Sequence, residues 1–314
     1  MSLWLILLLA TASGIGFVWL SIHLARAWGI VDSPGAIKIH SKVTPRFGGF
    51  GIVLTVLFWG LISGALTGWA LLGLLIIAVT GGLDDKYSLL PKVRLAAEVV
   101  AGAALGMHFW EPLGLLGLIL GVGLVPVMSN AVNLIDGMNG LASGNSLISA
   151  LGLALLLEAA NLPPTLALIL AGGLIGFLVW NYPRAKTFMG DCGSLSIGYV
   201  LAALVMLAAT HGFMAFVAAM VMVSFPLYDL VCGFIRRWRR GKPIFDGDRD
   251  HTYDRLDQLH LRNPAVTVVV VWGVTALLVA VGMVVSGMGF LSALLLITLV
   301  MSGLFFAAHW LGSL

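Results

Sequence analysis

The feature that most constrains this chain is a set of long stretches free of Asp, Glu, Lys and Arg. Residues 1–25, 47–83, 112–135, 137–157, 159–183, 192–228 and 263–314 carry none. A helix that crosses a bilayer needs about 20 apolar residues, and several of these runs are long enough for two. A soluble domain is excluded on composition as well. Sixty per cent of the chain is apolar and 10% is charged, against about 45–50% and about 25% in soluble domains. Glycine is abundant, at 39 residues, as expected where helices pack closely in lipid.

Dividing the runs at their turn signals predicts an all-α, polytopic integral membrane protein of about eleven transmembrane helices. Turns fall near Gly68, His211–Gly212 and Ser286–Gly289, and one further span begins near Pro91 despite Arg94 and Glu98. Residues 1–314 read as a single transmembrane domain. The first run lacks a basic leading segment and further spans follow it, so it reads as a span and not as a cleaved signal peptide. Alternating the loops puts all 17 lysines and arginines on one face. Basic residues stay cytoplasmic, so that face is expected in the cytoplasm and the amino terminus outside. Orientation thus accounts for the basic balance, and no nucleic-acid partner is implied. Cys192 and Cys232 form no disulfide framework.

The same face gathers nearly every side chain capable of chemistry, in five clusters. They are Asp32 to His40 with Thr44-Pro-Arg46; Asp84-Asp85 with Lys92 and Arg94; Asn130 to Asn139, through Asn133 and Asp136; Asn181 to Ser194, through Phe188 and Asp191; and Asp246 to Arg255, through Arg249 and His251. Carboxylates at the ends of apolar helices are costly unless water, metal or a cation compensates them. Acidic and amide clusters beside so many cations suit phosphates and a hard divalent cation, which favours one or two carboxylates plus phosphate oxygens. Each cluster also has a plainer role. Asp84-Asp85 could mark a membrane boundary, Asn133 and Asp136 could share a helix end, and Gly190-Asp191 could form a turn and cap. Glu98 reads as an internal ion pair with Arg94, and Asp229 as packing or capping no less than function. A secondary transporter would need polar residues near the midplane of several helices, which this distribution disfavours.

In order and spacing these motifs resemble the polyprenyl-phosphate N-acetylhexosamine-1-phosphate transferase superfamily, over about Asp32 to Arg255. The resemblance rests on Asp84-Asp85, on Asn130-Ala-Val-Asn133-Leu-Ile-Asp136-Gly, on Phe188-Met-Gly-Asp191-Cys-Gly-Ser, and on a basic loop ending in His251. It implies transfer of a sugar 1-phosphate from a UDP-sugar, UDP-GlcNAc or another UDP-N-acetylhexosamine, to polyprenyl phosphate, with release of UMP. Such a reaction starts a surface glycan; the peptidoglycan-type phospho-MurNAc-pentapeptide transferase is the alternative within the superfamily. The resemblance further implies Mg²⁺, with Mn²⁺ as a substitute, held by Asp191 with Asn133. Asp84, Asp85, Asp136 and His251 take catalytic positions. His40, Lys92, Asn139, Phe188 and Arg249 take substrate-binding positions, Phe188 stacking on uracil with Asn139 near its edge. It implies a multi-pass protein of the inner (plasma) membrane with its active site in the cytoplasm, and it is compatible with a homodimer. The chain departs from the superfamily in the last motif, where Tyr253 and Asp254 replace two histidines in a loop associated with sugar recognition. Ile37 and Val43 depart in the first motif.

Overall fold

The computed structural model describes residues 2–32, 43–241 and 250–314. They form thirteen α-helices, a π-helical turn and one short two-stranded ladder. Helix α1 (Leu3–Ala27) is followed by β1 (Val31–Asp32), which pairs antiparallel with β2 (Thr44–Pro45). Then come α2 (Gly49–Ser63), α3 (Gly68–Tyr87), α4 (Pro91–His108), α5 (Trp110–Leu134), α6 (Leu141–Ala159) and α7 (Thr165–Asn181). The chain continues through α8 (Gly190–His211), α9 (Phe213–Met222), α10 (Ser224–Arg239), α11 (Thr252–Leu256), the π turn Asp257–Leu261, α12 (Pro264–Ser286) and α13 (Phe290–Trp310).

The all-α, multi-pass architecture stands, but the expected count of about eleven spans does not. Seven of the described helices are long and apolar enough to cross a membrane, and eight if α9 and α10 together make one bent span. The predicted breaks fall at or beside helix ends, so the error lies in what the pieces amount to. Helices α2 and α7 are apolar but have only 15 and 17 residues. Helix α4 carries Lys92, Arg94 and Glu98. The run from 213 to 239 is bent by 68° between α9 and α10. Proline explains that bend. The ring of Pro226 would meet the carbonyl four residues back, that of Met222, so the helix breaks there. The freed Met222 carbonyl instead accepts the Ser149 hydroxyl at 2.8 Å.

Helix α8 is the axis of the molecule. It is buried along most of its length and packs against α3, α5, α2, α6 and α9. Outside it, α1 lies on α7 and α2, α4 joins α3 and α5, and α12 covers α9 and α6. Helix α13 leaves most of its apolar surface uncovered, as expected of a helix facing lipid. Glycine sets the approach at the start of α8. A Cβ on Gly49 would collide with the Gly193 backbone, and one on Gly81 would come within 2.6 Å of the Asp191 carbonyl oxygen and of Cys192 Cα. Helices α2 and α3 can therefore press against the first turn of α8, where the acidic residues gather.

Candidate active site at one end of the bundle

The first turn of α8 lacks a cap of its own. Its preceding residue, Met189, offers no side-chain acceptor, although the first four N–H groups of any helix need partners. Asp85, from the last turn of α3, supplies partners for two of them. Its Oδ1 accepts the Asp191 N–H at 2.8 Å and its Oδ2 the Cys192 N–H at 3.0 Å. The Asp85 side chain is completely buried. Gly190, just before Asp191, has φ +74°, and a Cβ there would press on the Asp85 carboxylate and the Arg46 carbonyl. A carboxylate at a helix N-terminus also suits the helix dipole. Asp85 thus fixes where Asp191 stands.

Asp84, one residue earlier, points into a different neighbourhood. Its Oδ1 accepts the Leu89 N–H at 2.5 Å, and its Oδ2 accepts Arg94 Nη1 at 2.9 Å. The same Nη1 lies 3.4 Å from Asp191 Oδ2, so one guanidinium spans carboxylates from α3 and α8. Arg94 also donates to Asn130 Oδ1 at 3.3 Å, and its Nε lies 3.8 Å from the fully buried Glu98. Asn130 Nδ2 in turn donates to Glu98 Oε2 at 2.6 Å. The opposite side is closed by Arg46, 3.5 Å from Asp191 Oδ1 and 3.6 Å from Asp85 Oδ1. Burial works against the charge of Arg46, but Asp191, Asp85, Asp136 and Asp32 carry its pKa above the ordinary arginine value.

Asn133, near the end of α5, donates from Nδ2 to Asp191 Oδ1 at 2.6 Å and to Ser194 Oγ at 2.9 Å. Asp136 does not share its helix face, because α5 ends at Leu134; its N–H returns to the Asn133 carbonyl at 3.2 Å in the following turn. Loss of hydration pushes the Asp136 carboxyl well above its usual range, with Arg46 pulling it down and Asp191 and Asp85 adding to the rise. Phe188 is half-buried beside β2, its N–H bonded to the Pro45 carbonyl at 2.8 Å. Asn139 donates to the Pro183 carbonyl at 3.2 Å, on the far side of the turn that carries Asp136. Lys92 is exposed on the first turn of α4. His40 and Arg249 lie outside the described residues.

His251 is buried, with Nδ1 2.6 Å from Asp229 Oδ2. The departure from the superfamily at position 253 is taken up in packing. Tyr253 is almost fully buried, donates its hydroxyl to the Leu134 carbonyl at 3.1 Å, and lies where a Cβ on Gly137 would have to be.

The structure therefore brings Asp84, Asp85, Asp191 and Asn133 into one cluster, with Asp136 facing it through Arg46. Sequence reasoning assigns no site role to Arg46, Arg94, Asn130 or Asp229. Arg46 and Arg94 stand within the polar clusters of the sequence but carry the signal of membrane orientation, and Asp229 shows itself only as a carboxylate in an apolar run. The donor set fits a divalent cation. Two carboxylates, Asp84 and Asp191, already converge on one positive nitrogen, as a hard cation sharing phosphate ligands requires. Among the described residues no group of three or more His, Cys, Asp or Glu is arranged as a metal cage, so phosphate and water oxygens would complete the coordination.

A multi-pass helical membrane protein with buried carboxylates beside partly exposed arginines at one bundle end is built to handle phosphate groups at a lipid surface. Known proteins narrow the class. The glycosyl transferase family 4 profile matches residues 67–209. The Bacillus subtilis (strain 168) "Probable undecaprenyl-phosphate N-acetylglucosaminyl 1-phosphate transferase" is 34% identical over 249 residues, covering 73% of this chain and 70% of the relative. The Thermotoga maritima undecaprenyl-phosphate alpha-N-acetylglucosaminyl 1-phosphate transferase is 32% identical, covering 73% of each. A decaprenyl-phosphate N-acetylglucosaminephosphotransferase of Mycobacterium tuberculosis is 29% identical over 79% of this chain and 74% of its own. The chain belongs to glycosyl transferase family 4, the polyprenyl-phosphate N-acetylhexosamine-1-phosphate transferases.

Proposed function

We propose that this protein transfers an N-acetylhexosamine 1-phosphate, with GlcNAc 1-phosphate the first choice, from a UDP-sugar to polyprenyl phosphate. The observation that carries the reading is the convergence of Asp84 and Asp191, from two helices, on a single cationic position, within a chain of this family. In the reaction, an oxygen of the lipid phosphate bonds to the β-phosphorus of the UDP-sugar. The bond between that phosphorus and the bridging oxygen breaks, the oxygen leaves with UMP, and the sugar remains on a lipid diphosphate. The attacking phosphate is ionised near neutrality, so the site must chiefly suppress repulsion between two anions.

Asp84 orients the lipid phosphate through the Arg94 position, and Asp85 keeps Asp191 in place. Asp191, with Asp84 beside it and Asn133 bracing it, would hold Mg²⁺ or Mn²⁺, which when bound neutralises the diphosphate. Asp136 with Arg46 faces the same space. Lys92, Arg249 and His251 meet phosphate oxygens, His40 contributes to substrate binding, Phe188 stacks on the uracil, and Asn139 reads its edge. The active end faces the cytoplasm at the plasma membrane, a reading supported by the confinement of the basic residues to that end. The test is transfer by purified protein with undecaprenyl phosphate and a panel of UDP-N-acetylhexosamines, with and without EDTA. Metal-dependent lipid product that Asp191→Ala abolishes is expected. Equal turnover in Asp191→Ala would remove that residue from the mechanism.

A further inference from the structure

The last turns of α1, strand β2 and the stretch joining α7 to α8 border an open cleft of about 420 Å³, within the size range of small-ligand sites. Trp19, His23, Arg26, Trp180 and Lys186 line it together with β2. No carboxylate is among its lining residues, and among the described residues none pairs with Arg26 or Lys186. The cleft is therefore a place for an anion. Its indoles are set beside the cations. Trp180 donates its Nε1–H to the Ile15 carbonyl at 3.1 Å, and Lys186 Nζ lies 4.9 Å from the Trp180 ring centroid. Trp19 and His23 lean on one another with ring centroids 4.3 Å apart. Indoles and long cations at the end of apolar helices are the pairing expected at the headgroup level of a bilayer.

The α1 wall of the cleft continues an exposed face of that helix. Trp19, His23 and Arg26 are all exposed, and Ala12, Leu8 and Leu5 extend the same line at spacings of seven, four and three residues, which keep to one side of a helix. The face thus passes from cation through indole to hydrocarbon. From Trp19 back to Leu8 is about 16 Å along a helix, close to half of the roughly 30 Å hydrocarbon thickness of a bilayer. A free phosphate ion would leave this track unused, whereas a phospholipid matches it from headgroup to tail. Pro45 in the cleft wall immediately precedes Arg46, which reaches Asp191 and Asp85. None of Asp84, Asp85, Asp191 and Asn133 lines the cleft, so the lipid phosphate that reacts is held elsewhere.

We propose that this cleft binds the phosphate headgroup of an anionic phospholipid of the surrounding membrane between Arg26 and Lys186, with an acyl chain lying along α1. The lipid held here takes no part in the transfer, and its binding is read without turnover.

The test uses purified full-length protein in phosphatidylcholine vesicles, with brominated phosphatidylglycerol titrated in to quench tryptophan fluorescence. The contribution of Trp19 is the difference between wild type and Trp19→Phe. Half-quenching of Trp19 should need about tenfold less brominated phosphatidylglycerol than brominated phosphatidylcholine, on the scale of two cations acting on anionic lipid. Arg26→Gln/Lys186→Gln should erase that preference and Arg26→Lys/Lys186→Arg should keep it, both folded by their melting temperatures. Equal quenching by the two lipids in the wild type, or a preference that survives the glutamine pair, would overturn the proposal. So would a Trp19 that neither lipid quenches, the mark of a second copy covering α1. Competition separates the sources of phosphate, and unbrominated phosphatidylglycerol is expected to relieve the quenching. Relief by inorganic phosphate would show a site for soluble anions, and relief by undecaprenyl phosphate at a far lower mole fraction would show a second substrate site. Either result would contradict a phospholipid site.

Discussion

Asp85 tests most sharply whether the acidic pair has one role or two. Asp85 caps α8 from another helix, while Asp84 is the member assigned to substrate. Asparagine at 85 can still accept one of the two N–H groups, at Asp191 or Cys192. Its amide nitrogen would then oppose the other, leaving a buried donor without a partner at a cost of about 1–3 kcal/mol. Loss of the negative charge at the helix N-terminus adds about 0.3–1 kcal/mol. The expected destabilisation is therefore about 1–4 kcal/mol. At roughly 2–4 °C per kcal/mol, the melting temperature in detergent should fall by about 2–16 °C. A solely chemical role predicts the opposite sign. Removing one charge from a crowd of carboxylates relieves repulsion, and strained active-site residues are commonly stabilised by substitution. Thermal unfolding of wild type and Asp85→Asn, measured without substrate, decides the matter. A melting temperature equal to or above wild type would refute the capping role.

Three further outcomes are expected. Arg94→Met should cost roughly 3 kcal/mol, because it strands the fully buried Glu98 beside Asn130; Arg94→Met/Glu98→Leu should recover most of that melting temperature without recovering activity, and no recovery would contradict the pairing. His251 has a pKa raised above its ordinary 6.5, so its pairing with Asp229 contributes fully below about pH 6.5 and fades as pH rises through the folded-state value. The melting difference between wild type and His251→Gln should accordingly shrink from about pH 6 to about pH 9, and a difference that widens would reverse the assignment. Sidedness can be read by thiol labelling, since both native cysteines are buried: in intact cells an impermeant maleimide should label Glu158→Cys and spare Arg184→Cys, and the reverse would invert the orientation.

Much of this arrangement is legible in residue order. Pro91 opens α4, Gly212 separates α8 from α9, and Ser286 closes α12, because proline, glycine and the ends of apolar runs act locally. The number of spans is not legible, since uncharged length does not tell whether a run makes one straight helix. Pro226 bends one run, and α2 and α7 stop short. In the site, Asp84, Asn133 and Asp191 stand out by motif. The cap formed by Asp85 does not, because its partners lie more than a hundred residues along the chain and α8 shows no defect until Met189 is seen at its cap. Arg46 and Arg94 are hidden by a sound rule. Basic residues at helix ends mark orientation, and nothing local distinguishes Arg46 and Arg94 as the ones that reach the acidic cluster. The exchange at Tyr253 looks like a change in recognition, yet the structure puts the ring in packing against Gly137, which only the tertiary contact reveals.

The central claim is that a phosphate travels with the sugar. The direct measurement uses a UDP-N-acetylhexosamine labelled with ³²P at the β-phosphorus, given to purified protein with undecaprenyl phosphate and Mg²⁺. Label in the lipid fraction, with unlabelled UMP released, is the expected result. Label retained in released UDP, with unlabelled sugar on the lipid, would show transfer of the sugar alone and contradict the claim.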